Sequence, residues 1–261
     1  MKRDKYSFDD LVKIMEKLRS PEGCPWDRKQ THESLIPYLI EETYEVVDAI
    51  KDKNYENLKE ELGDLLLQIV FHAQIAKEKG KFDINDVVDS IARKLIFRHP
   101  HVFGDRDDIK DADDVLKEWE KFKEQEGKKR ESKMDGIPKS LPALEKAYKL
   151  QKRAVKVGFD WSDFEGIKEK VVEELNEIEE ALKSGDREKI EEEVGDFLFM
   201  AVNLARFLGV HPEIALSKSN DKFEKRFRFM EKLAKESGKE LKEMSIDEME
   251  ELWQKAKKKM V

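Results

Sequence analysis

A single cysteine, Cys24, leaves the chain unable to form an intrachain disulfide or a zinc site built from several of its own thiolates. Proline and glycine are sparse, 7 and 12 of 261 residues, too few for the many tight turns of an all-β fold. No apolar run approaches the roughly 20 residues of a membrane span, and the opening MKRDKYSFDD lacks the apolar core of a signal peptide. These absences predict a soluble, cytoplasmic protein with no membrane partner. Basic charge is not in excess either. A net charge of −8 argues against a nucleic-acid duplex as partner, and an anionic ligand would have to be drawn in by cations or by a local cluster of Lys and Arg.

What the chain does have is charge, 42% of residues against 39% hydrophobic, the composition of long amphipathic helices. The expected class is all-α. Residues 41–64, EETYEVVDAIKDKNYENLKEELGD, carry Glu41 and Glu45 four apart and Glu61 and Asp64 three apart, so each pair shares a helix face. Asp52-Lys53-Asn54 breaks the pattern, with Asn54 suited to cap a second helix. Glu45 lies eight residues before Lys53 and Glu61 eight after it, each about 12 Å from the turn at ~1.5 Å per residue. In a helical hairpin the two pairs therefore stand level. Four converging carboxylates repel one another unless protonated or bound to a cation.

The device occurs twice. Residues 173–196, EELNEIEEALKSGDREKIEEEVGD, align with 41–64 at a constant shift of 132, identical at 10 of 24 positions. Glu173, Glu174, Glu177, Glu193 and Asp196 fall on Glu41, Glu42, Glu45, Glu61 and Asp64, and Gly185-Asp186 supplies the turn and cap. One Glu-Glu-x-x-Glu among 59 acidic residues reads as a solvated face, but a repeat with Gly63 and Gly195 inside helices and apolar flanks does not. Asp64 and Asp196 precede apolar runs and are expected to be partly buried, and close helix approach would explain the two glycines. Oxygen donors without His or Cys select hard cations, Mg²⁺ first with Mn²⁺ able to replace it.

Further blocks repeat in the same order. Lys94 and Arg98 correspond to Lys222 and Arg226, and Trp119 and Lys123 to Trp253 and Lys257, cations and tryptophans suited to phosphate and base contacts. The wholly polar stretch 124–132 marks a boundary, giving a first domain 1–126, a linker 127–142 and a second domain 143–261. Residues 8–19 and 143–155 read as amphipathic helices. Thr31 is expected to open the first arm after a structural turn rich in Trp26, Asp27, Gln30, His32 and Ser34, with Asp160-Trp161 playing the part of Trp26-Asp27. His72 reads as a hydrogen-bonded core histidine. No Glu-x-x-His pair is present, which removes the di-iron carboxylate bundle.

The EExxE and ExxD pattern, with GCPWDRKQTHESL before it, RHPHVFGD at 98–105, LPALEKAYKLQKRAVKVGFDW between the copies and NDKFEKRF at 220–227, resembles the MazG family. That resemblance covers nearly the whole chain in a two-domain arrangement. It implies an all-α fold related to the dimeric dUTPases, a homodimer, and Mg²⁺-dependent hydrolysis of nucleoside triphosphates to monophosphate and pyrophosphate, with nucleotide-pool housekeeping as the role. It further implies metal ligation by Glu41, Glu45, Glu61 and Asp64 and by Glu173, Glu177, Glu193 and Asp196. Glu42 and Glu174 would then remain for proton transfer, a further ligand or outer contacts. Lys94, Arg98, Lys222 and Arg226 would neutralise the triphosphate. Lys189 matches a family position near the phosphates in the second half alone. A nucleotide-binding regulatory module without turnover is the alternative.

Overall fold

The structure, a computed structural model, describes residues 4–104, 111, 114–115 and 131–259. Trp119, Lys123 and most of the 124–132 stretch lie outside the described residues. All regular elements among the described residues are helical, and no single one is long and apolar enough to cross a membrane. The chain divides into two compact units, Met1–Lys128 and Lys129–Val261.

In the first unit, α1 (Phe8–Arg19) starts with a reciprocal cap in which Ser7 Oγ accepts from Asp10 N and Asp10 Oδ2 accepts from Ser7 N. A short α2 (Pro25–Lys29) leads to α3 (Ile36–Lys51), α4 (Tyr55–Glu78), α5 (Ile84–Arg98) and α6 (Pro100–Phe103). The first arm of the hairpin is therefore shorter than the sequence pattern predicts. Thr31 and Ser34 instead bond each other's backbone amides in a turn, and α3 begins at Ile36 with Pro37 in its first turn. Proline there needs no N–H partner, whereas a helix from Thr31 would lose a hydrogen bond at Pro37. Asn54 caps α4 as expected, accepting from Asn57 N at 3.1 Å. Met15 and Leu35, each 1% exposed, meet Val70, Phe71 and Ile75 in the core that binds α1 to α4.

The second unit holds α7 (Ala143–Val155), α8 (Phe164–Ser184), α9 (Arg187–Phe207), α10 (Pro212–Glu236), a 3₁₀ turn at Leu241–Glu243 and α11 (Ile246–Lys259). Helices α8 and α9 form the hairpin, with Gly185 at φ +69° and Asp186 as N-cap. Lys53, at the matching turn position in the first unit, also has positive φ, +53°, so the geometry repeats where the glycine does not. Core residues Met230, Ala234, Leu252 and Ala256 join α10 to α11.

Gly63 and Gly195 depart from expectation. A Cβ built at either meets nothing within 4 Å, so no close approach within the chain accounts for them. Exposed Ile36, Ile40, Tyr44, Leu62 and Ile69 lie on the same hairpin as Gly63, and Val172, Leu175 and Leu198 on that of Gly195.

Candidate metal centre

Pairing α3 with α4 brings carboxylate oxygens of Glu42, Glu45 and Glu61 within 4.8 Å of one another. Pairing α8 with α9 does the same for Glu174, Glu177 and Glu193. Donors on one Mg²⁺ at ~2.1 Å lie up to about 4.2 Å apart, so small side-chain shifts suffice for three oxygens to share an ion. Glu42 titrates above the ordinary range because burial disfavours its charge and because Asp64 and Glu45 face it. Glu61 is raised first by desolvation and then by Glu45 and Asp64. Asp64, half-buried as expected, thus belongs electrostatically to the first cluster. Asp196 is exposed, contrary to expectation, because the apolar run that follows it also leaves Leu198 and Phe199 partly open.

Glu41 and Glu173 stand exposed outside both groups, and Glu42 and Glu174 occupy the places that the pattern assigned to them. On a helix Glu45 shares a face with both Glu41 and Glu42, four and three residues away, and packing against the second arm selects between them. The same exchange in both units makes it a property of the hairpin.

Lys170 is a partner that sequence reasoning missed. Its Nζ lies 2.9 Å from an oxygen of Glu173 and 2.9 Å from one of Glu174, which is 5% exposed. Its position corresponds to Tyr38 in the first unit, so this lysine neutralises part of the second cluster from a place where the first unit has no cation. Glu177 is raised by burial, with Lys170 opposing and Glu174 and Glu193 adding to the shift. The i,i+3 and i,i+4 spacing of Lys170 to the two glutamates was the available signal.

The expected cations are distributed along α5 and α10. Lys94 and Lys222 are exposed, and Arg98 closes α5 half-buried. Arg226 lies 5.9 Å from the Trp253 ring, Lys257 Nζ 6.0 Å from it, and Phe223 packs on it at 5.3 Å, joining three predicted residues in one cation–aromatic group. Arg226 Nε is buried with no hydrogen-bond partner among the described residues. Lys189 is exposed in the first turn of α9.

The stretch before the first hairpin is pinned by Arg19, 6% exposed in its side chain, which donates to Glu78 and to the carbonyls of Asp27 and Gln30. In the second unit Arg206 holds the corresponding stretch through the Asp160 carboxylate. An arginine thus ties down each segment, although from different helices. His72 is half-buried and meets His32 with Nδ1 atoms 2.8 Å apart and rings stacked, so it is indeed a hydrogen-bonded histidine.

Two helical hairpins, each gathering three glutamates that could hold a metal ion, define a tandem all-α repeat protein. The model of the MazG nucleotide pyrophosphohydrolase domain matches residues 30–103 and 162–229. The chain is 54% identical over 258 residues to the nucleoside triphosphate pyrophosphohydrolase/pyrophosphatase MazG of Thermotoga maritima, covering 98% of each. It is 48% identical to the nucleoside triphosphate pyrophosphohydrolase of Escherichia coli K12, covering 97% of this chain and 98% of that one. A solved MazG-related protein from Thermotoga maritima overlaps 44% of this chain and 98% of its own at 29% identity and a TM-score of 0.39. The chain belongs to the MazG family.

Proposed function

We propose that this protein hydrolyses nucleoside triphosphates to nucleoside monophosphate and pyrophosphate with Mg²⁺, and that Mn²⁺ can serve in its place. The observation that carries the reading is the repeated cluster of three glutamates, Glu42, Glu45 and Glu61 in one unit and Glu174, Glu177 and Glu193 in the other. The names of the relatives from Thermotoga maritima and Escherichia coli support the same chemistry. With Asp64 and Asp196 adjoining, these residues would hold the metal, which when bound lowers the pKa of water and stabilises phosphoryl charge. Glu41 and Glu173 would remain at the rim, where they add negative potential that attracts cations.

The water oxygen bonds to the α-phosphorus, the bond from that phosphorus to the bridging oxygen breaks, and pyrophosphate leaves with the electron pair. A carboxylate beside the metal ligands takes the water's proton. Lys94 and Arg98 in one unit, and Lys222, Arg226 and Lys189 in the other, counter the phosphate charge, with Trp253 and Lys257 beside Arg226. The two units are assigned as domains 1–126 and 143–261 joined by 127–142. A homodimer formed through the exposed apolar hairpin faces, a cytoplasmic location and a nucleotide-pool role complete the reading.

The test is the released anion. Purified protein incubated with each triphosphate and Mg²⁺ should accumulate pyrophosphate and monophosphate, with orthophosphate appearing when inorganic pyrophosphatase is added. Orthophosphate and nucleoside diphosphate in its absence would overturn the assignment.

A further inference from the structure

Helix α8 carries a cation of its own beside the second metal centre. Lys170 lies three residues before Glu173 and four before Glu174, spacings that put the three side chains on one face of the helix. Its Nζ is 2.9 Å from an oxygen of each carboxylate, so one ammonium joins an acid at the rim to an acid of the cluster. The two partners are unlike, since the Glu173 side chain is 59% exposed and that of Glu174 only 6%. For the rim glutamate the contact is a solvated pair of little worth. Glu174 is shielded from water and shares its space with Glu177 and Glu193, whose ligand oxygens lie within 4.8 Å, so the lysine offsets a buried charge that its neighbours oppose.

The first unit gathers the same three glutamates without this device. Tyr38 stands at the place of Lys170, its ring set edge-on to Trp26 at 6.0 Å. Glu42, the counterpart of Glu174, is faced by Asp64, Glu45 and Glu61. Since α3 pairs with α4 as α8 pairs with α9, the hairpin itself does not call for a lysine at this position.

An ammonium beside a carboxylate cluster acts on a metal ion in two opposed ways. Its bond to one oxygen of Glu174 fixes the carboxylate and leaves the other oxygen to bind metal, as outer contacts of metal ligands do. Its charge also repels a divalent cation attracted by the same acids. Glu42 reaches its place beside Glu45 and Glu61 with a tyrosine one turn earlier, so packing suffices to orient the acid and repulsion is the larger effect. A unit charge and a divalent ion a few ångströms apart in water-like surroundings, screened by salt, repel enough to weaken binding roughly tenfold. We propose that Lys170 is a positioning residue and resident counter-cation of the second metal centre, which balances Glu174 before metal binds and lowers the affinity of that centre for Mg²⁺ below that of the first. The two units then load metal over different ranges of Mg²⁺, the first ahead of the second. The proposal rests on the reading that both clusters bind a divalent cation.

Mn²⁺ is titrated into the metal-free full chain, with the free ion counted by electron paramagnetic resonance and Mg²⁺ affinity obtained by competition. Glu177→Gln isolates the first centre and Glu45→Gln the second. The second should bind roughly tenfold more weakly than the first. Lys170→Met in the Glu45→Gln protein should close that gap, and Lys170→Arg, which keeps the charge, should preserve it. Tyr38→Lys in the Glu177→Gln protein should weaken the first centre by roughly tenfold. Tyr38 is 38% exposed and accepts a lysine at the surface, so this variant decides the matter even where Lys170→Met does not fold. A lysine that only supports the fold would lower melting when replaced and leave the Mn²⁺ affinity of the folded protein unchanged. Equal affinities at the two centres, an affinity in folded Lys170→Met that is unchanged or lower, or an unchanged affinity in Tyr38→Lys overturns the proposal and leaves the metal centres standing. No saturable Mn²⁺ binding to the unmodified chain refutes the metal centres themselves, and the proposal with them.

Discussion

Replacing Arg19 with Met tests what holds the segment before α3 in place. The side chain makes two bonds to Glu78, at 2.8 and 2.7 Å, and donates to the carbonyls of Asp27 and Gln30, while its guanidinium lies 5.4 Å from the Phe71 ring. Methionine keeps the apolar stem but leaves Glu78 and both carbonyls without their donor. A fully buried pair broken this way costs about 3–5 kcal/mol, but Glu78 is 36% exposed in its side chain and water replaces part of the loss. About 2–3 kcal/mol is the expected net cost, or a fall in Tm of roughly 6–12 °C for a unit of this size. Thermal melts of both proteins at neutral pH measure it. The sign of the pH effect follows from Glu78, whose carboxyl is held below 4.5 by Arg19 first, with Gln74 adding. Its contribution is complete above that ordinary value and disappears as pH falls through the lower folded value, so the gap between the proteins should close in acid. A difference under about 0.5 kcal/mol, or a gap that widens in acid, refutes the argument.

Mg²⁺ at about 100 times its dissociation constant should stabilise the fold by about 2.7 kcal/mol, reversed by chelator, and Glu45→Gln with Glu177→Gln should remove that response along with turnover. Calorimetry with an unshifted transition in the unmodified protein would contradict the metal centre. Gly63→Ala should destabilise, since its methyl meets nothing within 4 Å in the chain and would instead meet the second copy packed on this hairpin in the proposed homodimer. A gain of about 0.5–1 kcal/mol in denaturant titration, the ordinary benefit of Ala over Gly in a helix, would mean that no copy packs there. Burial first and His32 second push the His72 imidazole below 6.5, so its neutral form suits the fold. Stability should be full above that value and decline as pH falls below it, and His72→Gln should flatten the decline; an unchanged slope removes His72 as its source.

Several elements were legible because their causes are local. Asn54, Gly185 and Asp186 mark the hairpin turns by cap and left-handed chemistry, and the amphipathic spacing of 8–19 and 143–155 matches α1 and α7. Lys170 was equally local yet escaped notice, because a lysine near glutamates on a charged helix resembles any solvated pair. His72 was recognised as hydrogen-bonded, but its partner His32 is 40 residues away and no pattern joins them.

The sequence by itself determined that the chain is helical, that a carboxylate hairpin occurs twice, and that its acids stand level across each turn, since helical rise and capping depend on neighbours in the chain. Tertiary structure decided which acids meet. Glu41 and Glu42 are both compatible with Glu45 on one helix, and only the orientation of the second arm places Glu42 and Glu174 inside. It also decided that the second unit holds a cavity between α7 and α9, because a cavity depends on the summed volumes of side chains from separate helices.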